Sequence, residues 1–240
     1  SEGYDQGAYV SYSSPYHSFF KFRDEASAKW PYNDSDEGWW GHNTLPKLSY
    51  ETSQELYDYI MGIARKWVSA PYHVDGWRLD VAADLGHSNE YNHQFWKKFR
   101  KVVKEANPEA LILAEHYGNP KSWLQGDEWD TVMNYDAFME PLTWYLTGME
   151  KHSDEFRPYM LGNAQYFVEA MKHHMTHMLT PSLMVAMNEL SNHDHSRFLT
   201  RTNHVVGRVK DLGSEAAGEN LDKALMHLAV LMQMTLPGAP

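Results

Sequence analysis

Three acidic residues each follow or close a short apolar run: Asp80 in GWRLDVA (76–82), Glu115 in ALILAEHYG (110–118) and Asp194 in SLMVAMNELSNHDHSR (182–197). Paired carboxyl groups of this kind suit retaining hydrolysis of a glycosidic bond. One carboxylate attacks the anomeric carbon, while the other protonates the leaving oxygen and later activates water, at a separation of about 5–5.5 Å. Arg78 stands two residues before Asp80. On a strand both side chains then point to the same side, so a guanidinium faces and orients the carboxylate. Taken singly, each acid is more readily a turn or helix-cap residue. The three together, with Arg78 in step, point to a site.

Elements that could carry such residues follow from periodicity. TSQELYDYIMGIARKWVS (52–69) has apolar residues at helical spacing, Thr52 as a candidate N-cap with Glu55 three residues on, and Pro71 beyond its end. VDGWRLDVA reads as a strand, 92–106 as an amphipathic helix ending at Asn107-Pro108, ALILAEHYG and DTVMNY (130–135) as short strands, and 137–147 and 162–178 as helices. SLMVAMNEL (182–190) is a further strand candidate, 219–234 a helix, and TLPGAP (235–240) the start of another strand. Strands and helices that alternate in this way predict an α/β fold with a parallel sheet and helices outside it. In a parallel barrel the carboxyl ends of the strands share one face, where a site is built. Residues 1–50 carry no sustained periodicity and are rich in Tyr, Ser, Asp, Gly and Trp, which reads as a long ordered loop region.

Composition narrows the partners. A net charge of −11 argues against nucleic acid, which needs a basic face. Aromatic residues make up 14% of the chain, enough for a core and for flat surfaces on which sugar rings stack. No cysteine is present, so the chain has neither a disulfide framework nor thiol chemistry. No run approaches the ~18 apolar residues of a membrane span. Fourteen histidines leave a metal site open, with His173 and His177 spaced as two ligands on one helix face. A packed or exposed histidine face is the preferred reading of that pair, because no Glu follows the first His as in H-E-x-x-H.

At these residues the chain resembles the α-amylase family, glycoside hydrolase family 13. DGWRLDVA is similar to its second signature segment, ILAEHYG to the third and LSNHDHSR to the fourth. LPKLS (45–49) resembles the extra segment near the end of domain B. Its Pro-Lys-Leu form, like GDEWDTVMNYDAF (126–138), is similar to the neopullulanase, cyclomaltodextrinase and maltogenic amylase group. The resemblance implies a (β/α)8 TIM barrel, of which this chain holds a fragment covering roughly domain B (1–50) and strands 4 to 7 (51–240). The remaining strands are expected outside it. A half barrel leaves open sheet edges, so the segment is expected to work within a longer polypeptide.

The resemblance also implies roles. Asp80 is the nucleophile, Glu115 the acid/base and Asp194 the stabiliser of the distorted sugar. Arg78 orients Asp80, His193 and Asn192 belong to the sugar-binding segment, and Tyr117 stands where the group often has a stacking Trp. Two positions depart from the group: Val81-Ala82-Ala83-Asp84 replaces the usual Val-Ala-Asn-Glu, and Asn192 stands where Ser is frequent. Asp84 therefore bears on which sugar is accepted. The implied substrates are maltooligosaccharides, cyclodextrins, pullulan or starch, cut at α-1,4 and also at α-1,6 bonds. Transglycosylation or isomerisation on the same site is the alternative, and a non-catalytic carbohydrate-binding relative the remote one. No cofactor is required, and a structural calcium and a homodimer of the complete protein are compatible with the resemblance. The compartment stays open between the bacterial cytoplasm and secretion.

Overall fold

The computed structural model describes residues 7–8, 14–23, 37–42, 44–206, 212 and 215–240. The chain divides into two compact units, Ser1–Trp77 with Val81–Leu111, and Arg78–Asp80 with Ile112–Pro240.

The first unit is built on two helices, α1 (Gln54–Val68) and α2 (Asn89–Ala106), which pack on each other. In α1, Leu56, Met61, Ala64 and Val68 recur on one face and are buried. The N-cap is Ser53 rather than Thr52: its hydroxyl accepts the Leu56 N–H at 3.3 Å, one residue later than the capping-box pattern suggests. α2 starts three residues earlier than its periodicity implies, because Ser88 caps it by accepting the Tyr91 N–H at 3.1 Å. Phe95 meets the rings of Tyr57 and Trp96 edge-on, and Trp96 meets Phe99 likewise. The buried Trp96 indole donates to the Ala82 carbonyl at 2.6 Å and the half-buried Trp77 indole to the Ala64 carbonyl at 3.1 Å. Of the loop region, the described residues include turns at His17–Phe19 and Trp39–Gly41 and antiparallel bridges Phe20–Leu48 and Gly38–Pro46.

A parallel sheet runs in the order β1 (Gly76–Leu79), β2 (Leu111–Ala114), β3 (Thr131–Val132). The Leu111 N–H donates to Asp75 and the Glu115 N–H to Leu79, each at 2.8 Å. In β2 and β3, Leu113 lies beside Thr131 and Ala114 beside Val132. Parallel bridges continue the sheet from Met133 to Met187 and from Met187 to Ala239. Gly76 belongs here for a steric reason: a Cβ would sit 2.1 Å from the Leu111 carbonyl oxygen.

The second unit's helices are α3 (Glu140–Thr147), α4 (Ala164–Met175), α5 (Thr180–Met184), α6 (Phe198–Arg201) and α7 (Lys223–Thr235). A π-helical turn, Tyr135–Met139, leads into α3, and Gly148 at φ +63° ends it. α7 begins at 223, where Asp222 accepts the Ala224 and Leu225 N–H groups at 2.8 and 3.0 Å. The core gathers Phe138, Leu142, Leu146, Leu190, Phe198 and Ala229. The expected strand over 182–190 is largely corrected. Pro181 stands in the first turn of α5, where its fixed φ suits a helix and its missing N–H cannot serve a ladder. The segment joins the sheet only around Met187. Among the described residues no helix is long and apolar enough to cross a membrane.

Candidate active site

The second unit brings together most of the residues singled out from the sequence. Arg78 lies on β1, and Asp80 follows its end. The guanidinium is bonded through Nη1 to Asp80 Oδ1 and through Nη2 to Glu115 Oε2, the latter at 3.1 Å. One planar fork thus holds both carboxylates, which a lysine could not do. The two acids differ sharply in setting: the Asp80 side chain is 75% exposed and that of Glu115 7%. The buried Glu115 carboxyl thus lies beside a cation.

The third acid is placed by the loop after Met187. The Asn192 carboxamide accepts the Asp194 N–H at 2.9 Å and donates through Nδ2 to the Tyr135 hydroxyl at 2.9 Å and to Glu189 Oε1 at 3.3 Å. The His193 imidazole is exposed and lies 3.5 Å from Asp194 Oδ2. Further along, the Ser196 N–H donates to the Lys151 carbonyl at 3.3 Å, and the buried Arg201 guanidinium donates to the Leu190 carbonyl. Both contacts fix the path of the loop. Tyr117 stacks on Tyr135 with ring centres 4.2 Å apart and planes at 9°, so one of its faces is already covered. Tyr117 as a residue remains 44% exposed.

Three neighbours were not singled out in the sequence. Tyr135 begins the π-helical turn and is buried. His195 is 8% exposed and faces the Tyr117 hydroxyl at 3.3 Å through Nε2. Burial pulls its imidazole down to about 4, helped by His152, Lys151 and Arg201 and opposed by Asp194. Glu189 is 6% exposed. Burial pushes its carboxyl up to about 7, against the hydrogen bond from Asn192 and the charge of Arg78. The readable signal was an acid at the end of an apolar run, the same signal that marked Asp80 and Glu115.

Asp84 belongs to the first unit. Its carboxylate accepts the Trp40 indole N–H at 2.5 Å and the Gly86 N–H at 2.8 Å. His173 and His177 sit at the C-terminal end of α4 and just beyond, with ring centres 4.9 Å apart, and His174 packs against both. Among the described residues no three His, Asp or Glu side chains are arranged to hold a metal ion; His173 is exposed, and His174 and His177 are half-buried.

Comparison with known proteins gives the family of the chain. The family described as "Alpha amylase, catalytic domain" matches residues 6–239. A cyclomaltodextrinase from Thermoanaerobacter pseudethanolicus is 31% identical over 241 residues, covering 92% of this chain and 35% of that protein. Neopullulanase 2 from Thermoactinomyces vulgaris is 34% identical over 196 residues, covering 82% of this chain and 27% of that protein. The solved structure of a debranching enzyme from Nostoc punctiforme superposes with a TM-score of 0.74 at 28% identity, over 95% of this chain and 45% of that one. The chain thus spans about a third of the length of its curated relatives. Asp80 and Glu115 follow the ends of parallel strands, the order of elements follows the barrel, and the match runs almost from end to end: the chain belongs to the α-amylase family, and its α/β fold is part of that family's (β/α)8 catalytic domain.

Proposed function

We propose that the protein to which this chain belongs hydrolyses α-1,4-glucosidic bonds, and α-1,6 bonds as well, with retention of configuration at the anomeric carbon. The observation that carries the reading is the single guanidinium of Arg78 bonded to both Asp80 and Glu115. It sets an exposed carboxylate beside a buried carboxyl, the pair that the retaining reaction requires. Asp80 attacks the anomeric carbon as Glu115 gives its proton to the departing glycosidic oxygen, and the C–O bond breaks to leave a glycosyl ester on Asp80. Glu115 then takes a proton from water, whose oxygen attacks the same carbon and frees Asp80. Asp194, His193 and Asn192 hold the hydroxyls of the sugar undergoing reaction, and the open face of Tyr117 stacks on the neighbouring one. The substrate class follows the relatives named cyclomaltodextrinase and neopullulanase: cyclodextrins, pullulan, starch and maltooligosaccharides.

The test uses the complete polypeptide with pullulan, starch and β-cyclodextrin and follows the products. Free reducing sugars released with retained configuration support the reading, and elongated oligosaccharides move it to transglycosylation. Asp80→Asn removes the nucleophile, so turnover should fall by several orders of magnitude while substrate binding persists. Full activity of that variant overturns the assignment, and binding without turnover by the unaltered protein makes it a carbohydrate-binding relative.

A further inference from the structure

The reaction as written leaves Glu189, a buried acid among the residues of the site, without a task. Glu189 lies five residues before Asp194, in the segment that leaves the sheet after Met187. Its Oε1 accepts from the amide end of Asn192 at 3.3 Å, and that same amide reaches the Tyr135 hydroxyl at 2.9 Å, which is itself a hydrogen-bonding neighbour of the Glu189 carboxyl. The other end of the carboxamide accepts the Asp194 N–H. A carboxamide has two orientations, and here they are far from equal. Turned over, Asn192 would set its NH2 group against the Asp194 N–H, losing that bond and opposing two donors. The groups that face Glu189 come from each neighbouring element: Arg78 from β1, Glu115 from the end of β2, Tyr135 after β3, and Asn192 from its own loop.

We propose that Glu189 is a positioning residue for the reaction: through the Asn192 carboxamide it fixes the backbone of Asp194 and the Tyr135–Tyr117 stack, and it does so without competing for Arg78 only while it carries a proton. This rests on the assignment of Asp80, Glu115 and Asp194 given above. Because burial raises the Glu189 carboxyl to about 7, its charge appears near neutrality. The ionised form adds a negative charge beside Glu115 and draws on the guanidinium that Asp80 and Glu115 share.

The experiment is the pH dependence of kcat/KM on maltotriose and pullulan for the complete protein and for Glu189→Gln and Glu189→Leu. Gln keeps an acceptor for Asn192 and cannot ionise. Its alkaline limb should move up by about one pH unit or more relative to the unaltered protein. Leu removes the acceptor, so at pH 6 kcat should fall about ten-fold while KM changes less than about three-fold. A Gln profile that superimposes on that of the unaltered protein overturns the inference and leaves the assigned chemistry standing. So does a Leu variant that matches Gln at pH 6. An unaltered protein with no turnover of any α-glucan overturns both. If the Leu variant fails to fold, the Gln profile still decides.

Discussion

Two buried groups at the site titrate in opposite senses, and this gives a prediction about stability that needs no substrate. His195 has its imidazole pulled from 6.5 down to about 4. Between those values the unfolded chain binds a proton that the folded chain does not, so stability rises with pH from about 4 to 6.5 and is flat above. At about 1.4 kcal/mol per pH unit, the full window is worth about 3 kcal/mol. Glu189 has its carboxyl raised from 4.5 to about 7. There the folded chain binds the proton, so stability falls as pH rises from about 4.5 to 7, by a similar amount. The two slopes cancel over most of their range, and the unaltered protein should show a nearly level urea midpoint between pH 4.5 and 6.5 from this pair. His195→Gln removes the rising contribution and should leave stability falling with pH across that window by about 2–3 kcal/mol. Glu189→Gln should reverse the slope. Urea denaturation of the complete protein at half-unit pH steps, with tryptophan fluorescence as the signal, reads both. A His195→Gln midpoint that tracks the unaltered protein at every pH would refute the reasoning.

Two further perturbations bear on the frame around these groups. Arg78→Met leaves the buried Glu115 carboxyl without its cation. Breaking a buried pair costs about 3–5 kcal/mol, and with a third of the Arg78 side chain exposed the expected loss is about 2 kcal/mol, measured by urea denaturation and accompanied by loss of turnover. Arg78→Lys should not restore activity, because an ammonium cannot hold two carboxylates in one plane. Phe138→Ala empties the centre of the core formed with Leu142, Leu146, Leu190, Phe198 and Ala229 and should cost about 3–5 kcal/mol, seen as a lower thermal midpoint.

The legible part of this molecule is the part written in local pattern. α1 and α2 announce themselves by apolar residues at helical spacing, and the strand ends by an acid after an apolar run. Arg78 and Asp80 were readable as partners because two residues on a strand must share a side. The errors have equally local causes. Ser53 and Ser88 each offered a cap within a residue or a few of the expected start. In SLMVAMNEL the apolar run hid Pro181, whose ring turns the first half into α5. Unreadable altogether was the second ring of contacts, because it depends on distant chain. Arg78 reaching Glu115, Tyr117 lying flat on Tyr135, and Asn192 tied to Tyr135 join residues far apart in sequence, and no periodicity encodes such distances.

Those distant contacts also settle how the site balances its charge. Asp80, Glu115, Glu189 and Asp194 converge on a region where Arg78 is the cation that acts on Glu189 and pairs with both Asp80 and Glu115. Burial keeps His195 neutral above about 4, so that histidine adds no positive charge beside Asp194 there. A proton on Glu189 lowers the negative charge of the region further. A neutral carboxyl in that place supports Asn192 without drawing Arg78 away from the two acids that need it. Adding a base to the solution removes this arrangement before it disturbs the fold, so loss of turnover on the alkaline side should precede loss of structure.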